Sequence, residues 1–394
     1  MNNIIKSENN KYFMVITGDR YPLGDAGAIR TQAFSKIFQQ LGYRVFVVGM
    51  GRSTRFKKEA FEGTTYCSLR YPTNNIFFRI LGRLKFANHA KKILKSMESS
   101  LLAGIIYVSG GMRILKYIKK YCQKNSIALY YDCVEWYSPC EFKRGDKSRI
   151  YKENDLLNSK YIDKYFKVFS ISSYLEEYYK DKTIKTLRIP VIMNVNEIPL
   201  IKSKIDKKTT IIYAGSMGKK DRIDMFVNAL QLISEVERSK IQMIIIGSTQ
   251  NEYEKRFGKV SDEISNRQLF FKGKVGRSEV FRYLEQADFT MLIRPPEERY
   301  ARAGFPTKIV ESLSAGIPVI CNYTSDLSLY LQDDQNAVIV EEYSILACLK
   351  ALKKVINLST EKKAQMRMLA RRTAERYFHY ENYISSIKEF IADE

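Results

Sequence analysis

Two successive series of short apolar runs constrain this 394-residue chain more than any other feature, each run closed by glycine or a turn and followed by a helix-length segment. The first series opens with KYFMVITGD (11–19), passes through a polar loop, YPLGDAG, and continues as AIRTQAFSKIFQQLG, whose apolar residues recur at helical spacing. YRVFVVGMG (43–51) is the next apolar run, so residues up to 51 read as a βαβ unit of a parallel sheet. GIIYVSG (104–110), ALYYDCV (128–134) and KVFSIS (167–172) supply further buried strands at helix-length intervals. Alternation of this kind predicts a doubly wound α/β domain.

The pattern then restarts. TLRIPVIMNVNEIPLIKSKIDKK (186–208) carries two prolines and a lysine-rich end, which suits a connection between domains. TTIIYAG (209–215), KIQMIIIGS, QLFFKGKV and DFTMLIRP read as strands around the helical DRIDMFVNALQLISEV; GIPVICN (316–322) closes the sheet and NAVIVEE (336–342) is a candidate edge. SILACLKALKKVINL and KKAQMRMLARRTAERYF are helical by spacing. The expected organisation is a Rossmann-like domain over 1–190, a second over 191–375, and a C-terminal helix, 376–394, packing back on the first. A chain of this length is too long for one comfortable core. Two such sheets facing each other place a cleft at the carboxyl ends of their strands, where ligands of parallel sheets bind.

Charge is distributed unevenly. Residues 1–190 hold 34 Lys+Arg against 16 Asp+Glu, whereas the remainder holds 31 against 27. A field concentrated on one half gathers polyanions or anionic lipid headgroups. Part of it lies in IFFRILGRLKFANHAKKILKSM (76–97), which mixes Phe77, Ile80, Leu81 and Leu84 with Arg79, Arg83, Lys85, Lys91, Lys92 and Lys95 and follows RSTRFKK. The spacing predicts a basic amphipathic helix for an anionic leaflet, with a solvated surface helix as the plainer reading. No stretch reaches the roughly 18–20 apolar residues of a membrane span, and MNNIIKSENNKYF lacks the long apolar region of a secretory signal, so a cytoplasmic protein is expected, peripheral on the inner face of the cell membrane. The cysteines at 67, 122, 133, 140, 321 and 348 form no CxxC pair and no metal-like spacing with His89 or His379, so no metal and no disulfide framework is expected.

Chemistry is best sought in RAGFPTKIVESLSAGIPVI. Gly304 lets the backbone approach a ligand, Phe305 completes the loop, Pro306 stands where a helix begins, and KIVESLSA continues at helical spacing. Free amides at that helix start, with Thr307 and Lys308, suit a diphosphate. Glu311 falls about one turn further on, where a carboxylate accepts hydrogen bonds from the two hydroxyls of a ribose. One segment thus reads both halves of a nucleotide.

AGFPTKIVESLSAGIPVI resembles the signature segment of the family 4 glycosyltransferases, E-x7-E within EGF(G/P)xxxxE. The resemblance extends to YAGSMGKKDRIDMFVNAL, MIIIGS and FFKGKVGRSEVFRYLEQADFTMLIRP in the same order and spacing, spanning roughly 186–350, and more loosely to FMVITGDRYPLGDAGAIR and VFSISSYLEEY. It implies the GT-B fold: two Rossmann-like doubly wound parallel-sheet domains facing a cleft, an acceptor domain before a donor domain. It also implies metal-independent transfer of a hexose from a nucleoside-diphosphate sugar, UDP being the expected carrier, with retention of configuration. Carried over residue by residue, Glu311 holds the ribose, Thr307 and Lys308 the phosphates, and Val275 the base through its backbone. Lys219, Lys220 or Arg222, in the turn after Gly215, neutralise the leaving diphosphate, and Arg294 points to the same crevice; spacing does not decide between the turn cations. The glycine loop at Gly24 to Gly27 faces the donor phosphates in this fold.

The chain departs from the pattern in two places. Ala303 stands where the first glutamate of E-x7-E falls, and neither histidine occupies the place of the family's histidine at the donor sugar. DCVEWYSPCEF instead puts Asp132 and Glu135 at a strand end, where either could orient or deprotonate an acceptor hydroxyl or simply hydrogen-bond the strand end. No Asp-x-Asp pair occurs, which argues against the metal-holding single-domain glycosyltransferases. GDAG is not GxGxxG, and there is no P-loop. The expected function is therefore sugar transfer to a lipid-linked or polysaccharide acceptor at a membrane face. The alternatives are a polyanion- or nucleic-acid-binding protein, carried only by charge, and a GT-B relative without transfer activity.

Overall fold

A computed structural model describes residues 11–24, 26–51, 57–70, 76–201, 208–215 and 217–392. The chain divides into two compact units: Met1–Tyr137 with Asp146–Asn194 and Tyr380–Glu394, and Ser138–Gly145 with Val195–His379.

In the first unit, eight strands form one sheet: β1 (Tyr12–Arg20), β2 (Arg44–Gly51), β3 (Glu59–Phe61), β4 (Thr64–Arg70), β5 (Leu102–Tyr107), β6 (Ala128–Cys133), β7 (Phe166–Ser170) and β8 (Thr186–Arg188). Their order is β3-β4-β2-β1-β5-β6-β7-β8, parallel throughout except for the β3/β4 hairpin. The chain travels one way from β1 to β4 and then the other way from β5, so the topological switch lies between β1 and β5. Val15 sits opposite both Val47 and Ile106, and all three are buried, as strands covered on both faces require. Helix Ala26–Gln40 lays Ala33, Phe34, Ile37 and Phe38 on this sheet, with the Phe13 and Phe38 rings stacked at 4.0 Å. Helix Ile384–Ala392 adds Ile387 and Phe390 to the same core, the Phe390 ring 5.2 Å from that of Phe169. Burying two such side chains stabilises by about 1.5–3 kcal/mol each.

Thr186–Arg188, expected to open the interdomain connection, pairs instead with Val168–Ser170 as the last strand of this sheet. The helix Ile76–Ser96 forms where the basic amphipathic segment was expected, although RSTRF of the preceding tract lies outside the described residues. Its apolar residues Phe86, Ala90, Ile93 and Leu94 are buried, and Tyr121 on helix Met112–Asn125 donates to the Leu94 carbonyl at 3.1 Å. Lys85, Lys92 and Lys95 remain exposed. No helix among the described residues is long and apolar enough to cross a membrane.

The second unit has six parallel strands: β9 (Thr209–Ala214), β10 (Ile241–Ile246), β11 (Leu269–Phe271), β12 (Phe289–Leu292), β13 (Val319–Cys321) and β14 (Ala337–Ile339), in the order β11-β10-β9-β12-β13-β14. Its core gathers Ile212, Ile244, Ile246, Ala287, Ala315 and Ile317, with Val275 packed against it. Here the switch falls between β9 and β12, which are adjacent through Phe289↔Ile211 and Thr290↔Ile212. Parallel α/β sheets bind ligands at the carboxyl side of such a switch.

Candidate functional site

Gly215 follows β9 directly, and Arg294 lies two residues beyond β12, so both stand at the carboxyl edge of the switch. Asn322, just past β13, fixes the exit of β12 from both sides: its Oδ1 accepts from the Arg294 amide at 3.0 Å, and its Nδ2 donates to the Arg294 carbonyl at 2.8 Å. The turn leaving Gly215 is anchored where the Arg222 amide donates to the Ile293 carbonyl at 2.9 Å.

Between these anchors sits Asp221, 3% exposed. Its Oδ1 takes Arg294 Nε at 2.8 Å, and its Oδ2 takes Lys308 Nζ at 2.6 Å and the Tyr213 hydroxyl at 2.9 Å. Burial alone would raise the carboxyl's pKa, but Arg294 and Lys308 outweigh it and hold the group below the usual carboxylate range. Burial, and then the neighbouring Asp221 charge, push the Tyr213 phenol up, so it stays a neutral donor. Lys308 Nζ also lies 5.3 Å from the Tyr213 ring centroid. Two cations against one carboxylate leave a net positive charge at the switch.

Lys308 is the second residue of helix Thr307–Ser314, which begins after Pro306. Glu311 is one turn further on, partly buried. Gly304 ends the preceding helix, Arg299–Ala303, its amide donating to the Tyr300 carbonyl at 3.1 Å. Phe305, expected in the binding loop, is a packing residue: 6% exposed, with ring contacts of 5.7 Å to both Tyr330 and Phe378. Ala303 is fully buried, so a glutamate at that position would have to enter the core.

The turn cations are each committed elsewhere within the same unit. Arg222 grips Asp224 with two bonds, 2.9 and 2.7 Å, and reaches Tyr343 Oη at 3.2 Å; hydrogen bonding to Asp224 raises its already high pKa. Lys220 pairs with Glu141 at 2.9 Å, and Lys219 donates to the Phe142 carbonyl at 3.2 Å. Both partners come from Ser138–Gly145, a stretch that lies among the first unit's residues in sequence but belongs to the second unit. Glu141 also accepts from the Ser138 amide at 2.8 Å, and Ser138 Oγ accepts from the Tyr300 amide at 3.2 Å. The catalytic role expected of Lys220 thus meets a side chain already paired with a carboxylate that is 6% exposed.

In the first unit, Asp132 is 2% exposed and gripped by Arg30, with bonds of 3.1 and 2.9 Å from Nε and 2.8 Å from Nη2. Arg30 also donates to the carbonyls of Pro190 and, at 3.0 Å, Ile189. This corrects the expectation of a general base at Asp132: its carboxylate compensates a buried guanidinium. Glu135, past the end of β6, is partly buried, and its carbonyl accepts from Asn154 at 3.4 Å. The glycine loop carries a local reason for its composition. A Cβ on Gly27 would stand 2.3 Å from Asp19 Oδ2, and one on Gly24 would stand 2.5 Å from the Arg20 Cβ. A carboxylate therefore lies against the start of helix Ala26–Gln40, the end that attracts anions, which disfavours phosphate there. Val275 lies between β11 and helix Arg277–Leu284.

Residues 195–373 match the model of the family described as glycosyl transferases group 1. That stretch, somewhat under half of the chain, is similar to group 1 glycosyl transferase domains. The matched stretch holds Asp221, Arg294, Lys308 and Glu311 and every strand from β9 to β14. No curated protein matches the chain in sequence. Among solved structures the whole chain is similar to a sucrose-phosphate synthase from Thermosynechococcus elongatus (14% identity, 97% of this chain and 98% of that one, TM-score 0.71). It is also similar to HepE of Anabaena in complex with UDP and glucose (13%, 98% and 100%, 0.66) and to WaaG, a glycosyltransferase involved in lipopolysaccharide biosynthesis (14%, 97% and 100%, 0.66). These likenesses, which extend over nearly the whole chain, establish the fold as GT-B, two parallel-sheet α/β units.

Proposed function

We propose that the protein is a glycosyltransferase that takes a nucleoside-diphosphate sugar in its group 1 domain and transfers the sugar, with retention and without a metal, to a hydroxyl of a lipid-linked or polysaccharide acceptor. The observation that carries the reading is the helix Thr307–Ser314 opening at the β9/β12 switch, with Lys308 in its first turn and Glu311 one turn on. Amides and a cation suit a diphosphate, and a carboxylate suits the ribose hydroxyls. HepE, a similar fold, is solved with UDP and glucose, which supports UDP as the carrier.

In the transfer, the bond from the anomeric carbon to the β-phosphate oxygen breaks and one from that carbon to the acceptor oxygen forms. The nucleoside diphosphate leaves with the bonding electrons, and the acceptor proton passes to a base or to the leaving group. The developing charge is on the diphosphate, so fixed cations and amides lower the barrier. Asp132 being committed to Arg30, Glu135 is the carboxylate assigned to the acceptor hydroxyl.

The membrane part of the proposal rests on helix Ile76–Ser96. Since its buried residues include Phe86, Ala90, Ile93 and Leu94, attachment works through the exposed lysines, each worth about 1 kcal/mol near an anionic surface. WaaG, a glycosyltransferase involved in lipopolysaccharide biosynthesis, supports a lipid-linked acceptor.

The test is a thermal-shift screen against UDP-, GDP- and ADP-sugars, with RNA as the competing ligand. The proposal expects one nucleotide-sugar class to raise the melting temperature and to release its nucleoside diphosphate when a membrane extract is added. Stabilisation by RNA with no response to any nucleotide sugar would replace it with the polyanion-binding reading.

A further inference from the structure

The sequence offers five cations for a diphosphate, and the structure separates them into two groups. Lys219, Lys220 and Arg222 are spent on Phe142, Glu141 and Asp224. Arg294 and Lys308 arrive from two different elements and meet on one buried carboxylate at the β9/β12 switch. Nothing in the local sequence GKKDRID distinguishes Asp221 from an ordinary turn aspartate, yet its carboxylate contacts both of these cations.

We propose that Asp221 is a positioning residue that holds Arg294 and Lys308 side by side as the two cations that meet the donor's diphosphate. This rests on the donor reading above and adds to it which cations serve. The physical reason is preorganisation. A lysine side chain has four rotatable carbons and loses about 2 kcal/mol of rotamer freedom when fixed. Asp221 fixes that stem before a ligand arrives, so less is lost on binding. Its two oxygens are divided between the partners, Oδ1 to Arg294 and Oδ2 to Lys308, which sets the spacing of the cations. One carboxylate against two cations leaves the Asp221 cluster itself net positive. Lys308 keeps 33% of its side chain exposed and Arg294 12%, while Asp221 keeps 4%, so the cations and not the carboxylate face outward. Gly215 belongs to the same device, because Lys308 runs across the space that any side chain there would occupy.

The test is calorimetric titration of the full chain with uridine, UMP and UDP, and with guanosine, GMP and GDP. The readout is the ratio of diphosphate to nucleoside affinity, which isolates the phosphate contacts from those to base and ribose. Lys308→Met and Arg294→Met are each expected to lower that ratio about tenfold or more. Asp221→Asn is expected to lower it as much while leaving nucleoside affinity within about threefold, and Asp221→Glu to recover part of it. A merely structural Asp221 would weaken nucleoside and diphosphate together. Should Asp221→Asn fail to fold, the Lys308 and Arg294 variants decide. The proposal is overturned if both bind UDP and GDP as the unaltered chain does, or if only Lys219→Met with Lys220→Met loses the diphosphate preference. If no nucleoside diphosphate binds the unaltered chain, the donor reading itself fails and takes this proposal with it.

Discussion

Lys308 crosses the backbone at Gly215: a Cβ added to that glycine would stand 2.2 Å from Lys308 Cε and 2.8 Å from its Nζ. Gly215→Ala therefore forces the lysine stem off Asp221. The expected result is a loss of UDP affinity of about tenfold with overpacking limited to about 1–3 kcal/mol of stability. Titration and a denaturant melt of the same sample read both. Full affinity in a stable Gly215→Ala protein would mean that the placement of Lys308 is irrelevant to the ligand.

Glu311 is assigned to the ribose. Glu311→Ala is expected to lower nucleotide affinity about tenfold while the melting temperature of the free protein stays close to that of the parent. The unaltered chain should also prefer UDP over its 2′-deoxy form, and the variant should lose that preference. Equal affinities in parent and variant would reject the role.

Asp132 and Glu135 stand three residues apart and have different fates. Removing the Asp132 carboxylate strands the Arg30 guanidinium in the core, a change that costs about 3–5 kcal/mol. Asp132→Ala is therefore expected to melt far below the parent or to accumulate unfolded. Glu135→Gln is expected to melt like the parent and to lose transfer rate. A stable, inactive Asp132→Ala protein would reverse the two assignments.

Acid exposes the Asp221 cluster. Its carboxyl is held below the unfolded value, about 3.9, by Arg294 and Lys308. Between the two values the unfolded chain binds a proton that the folded chain refuses, so the stabilisation is complete above about pH 5 and is lost as the pH falls below about 4. The gap in unfolding free energy between the parent and Asp221→Asn should stay constant from about pH 8 to about pH 5 and narrow below it. A gap that stays constant down to about pH 3 would contradict the paired, ionised state.

Electrostatic attachment predicts a salt-sensitive partition onto vesicles. Exchanging Lys85, Lys92 and Lys95 for glutamine should remove about 3 kcal/mol of binding to vesicles containing anionic lipid and leave nucleotide binding unchanged. Cosedimentation in low and high salt measures it. Variant and parent partitioning equally would assign this helix to solvent alone.

The two sheets were legible because buried parallel strands are written as uninterrupted apolar runs such as MVIT and IIIG. Glu311 and Lys308 were legible because they share one helix with a marked start. Asp221 was not, since its importance comes from Arg294 and Lys308, 73 and 87 residues further along the chain. The role of Glu141 was hidden for the same reason. Ser138–Gly145 follows a strand of the first unit yet packs with the second, and the SPCE turn says nothing of Lys220. The packing of Phe305 was not legible either, because a motif aligns positions, whereas the fold decides that this ring lies against Tyr330 and Phe378.

The most direct test is a crystal structure of the chain with the nucleotide sugar that gives the largest thermal shift. The account predicts the diphosphate against Lys308 and Arg294 at the β9/β12 switch, with the ribose hydroxyls on Glu311. A nucleotide bound elsewhere, with Lys308 and Arg294 still turned only to Asp221, would contradict it.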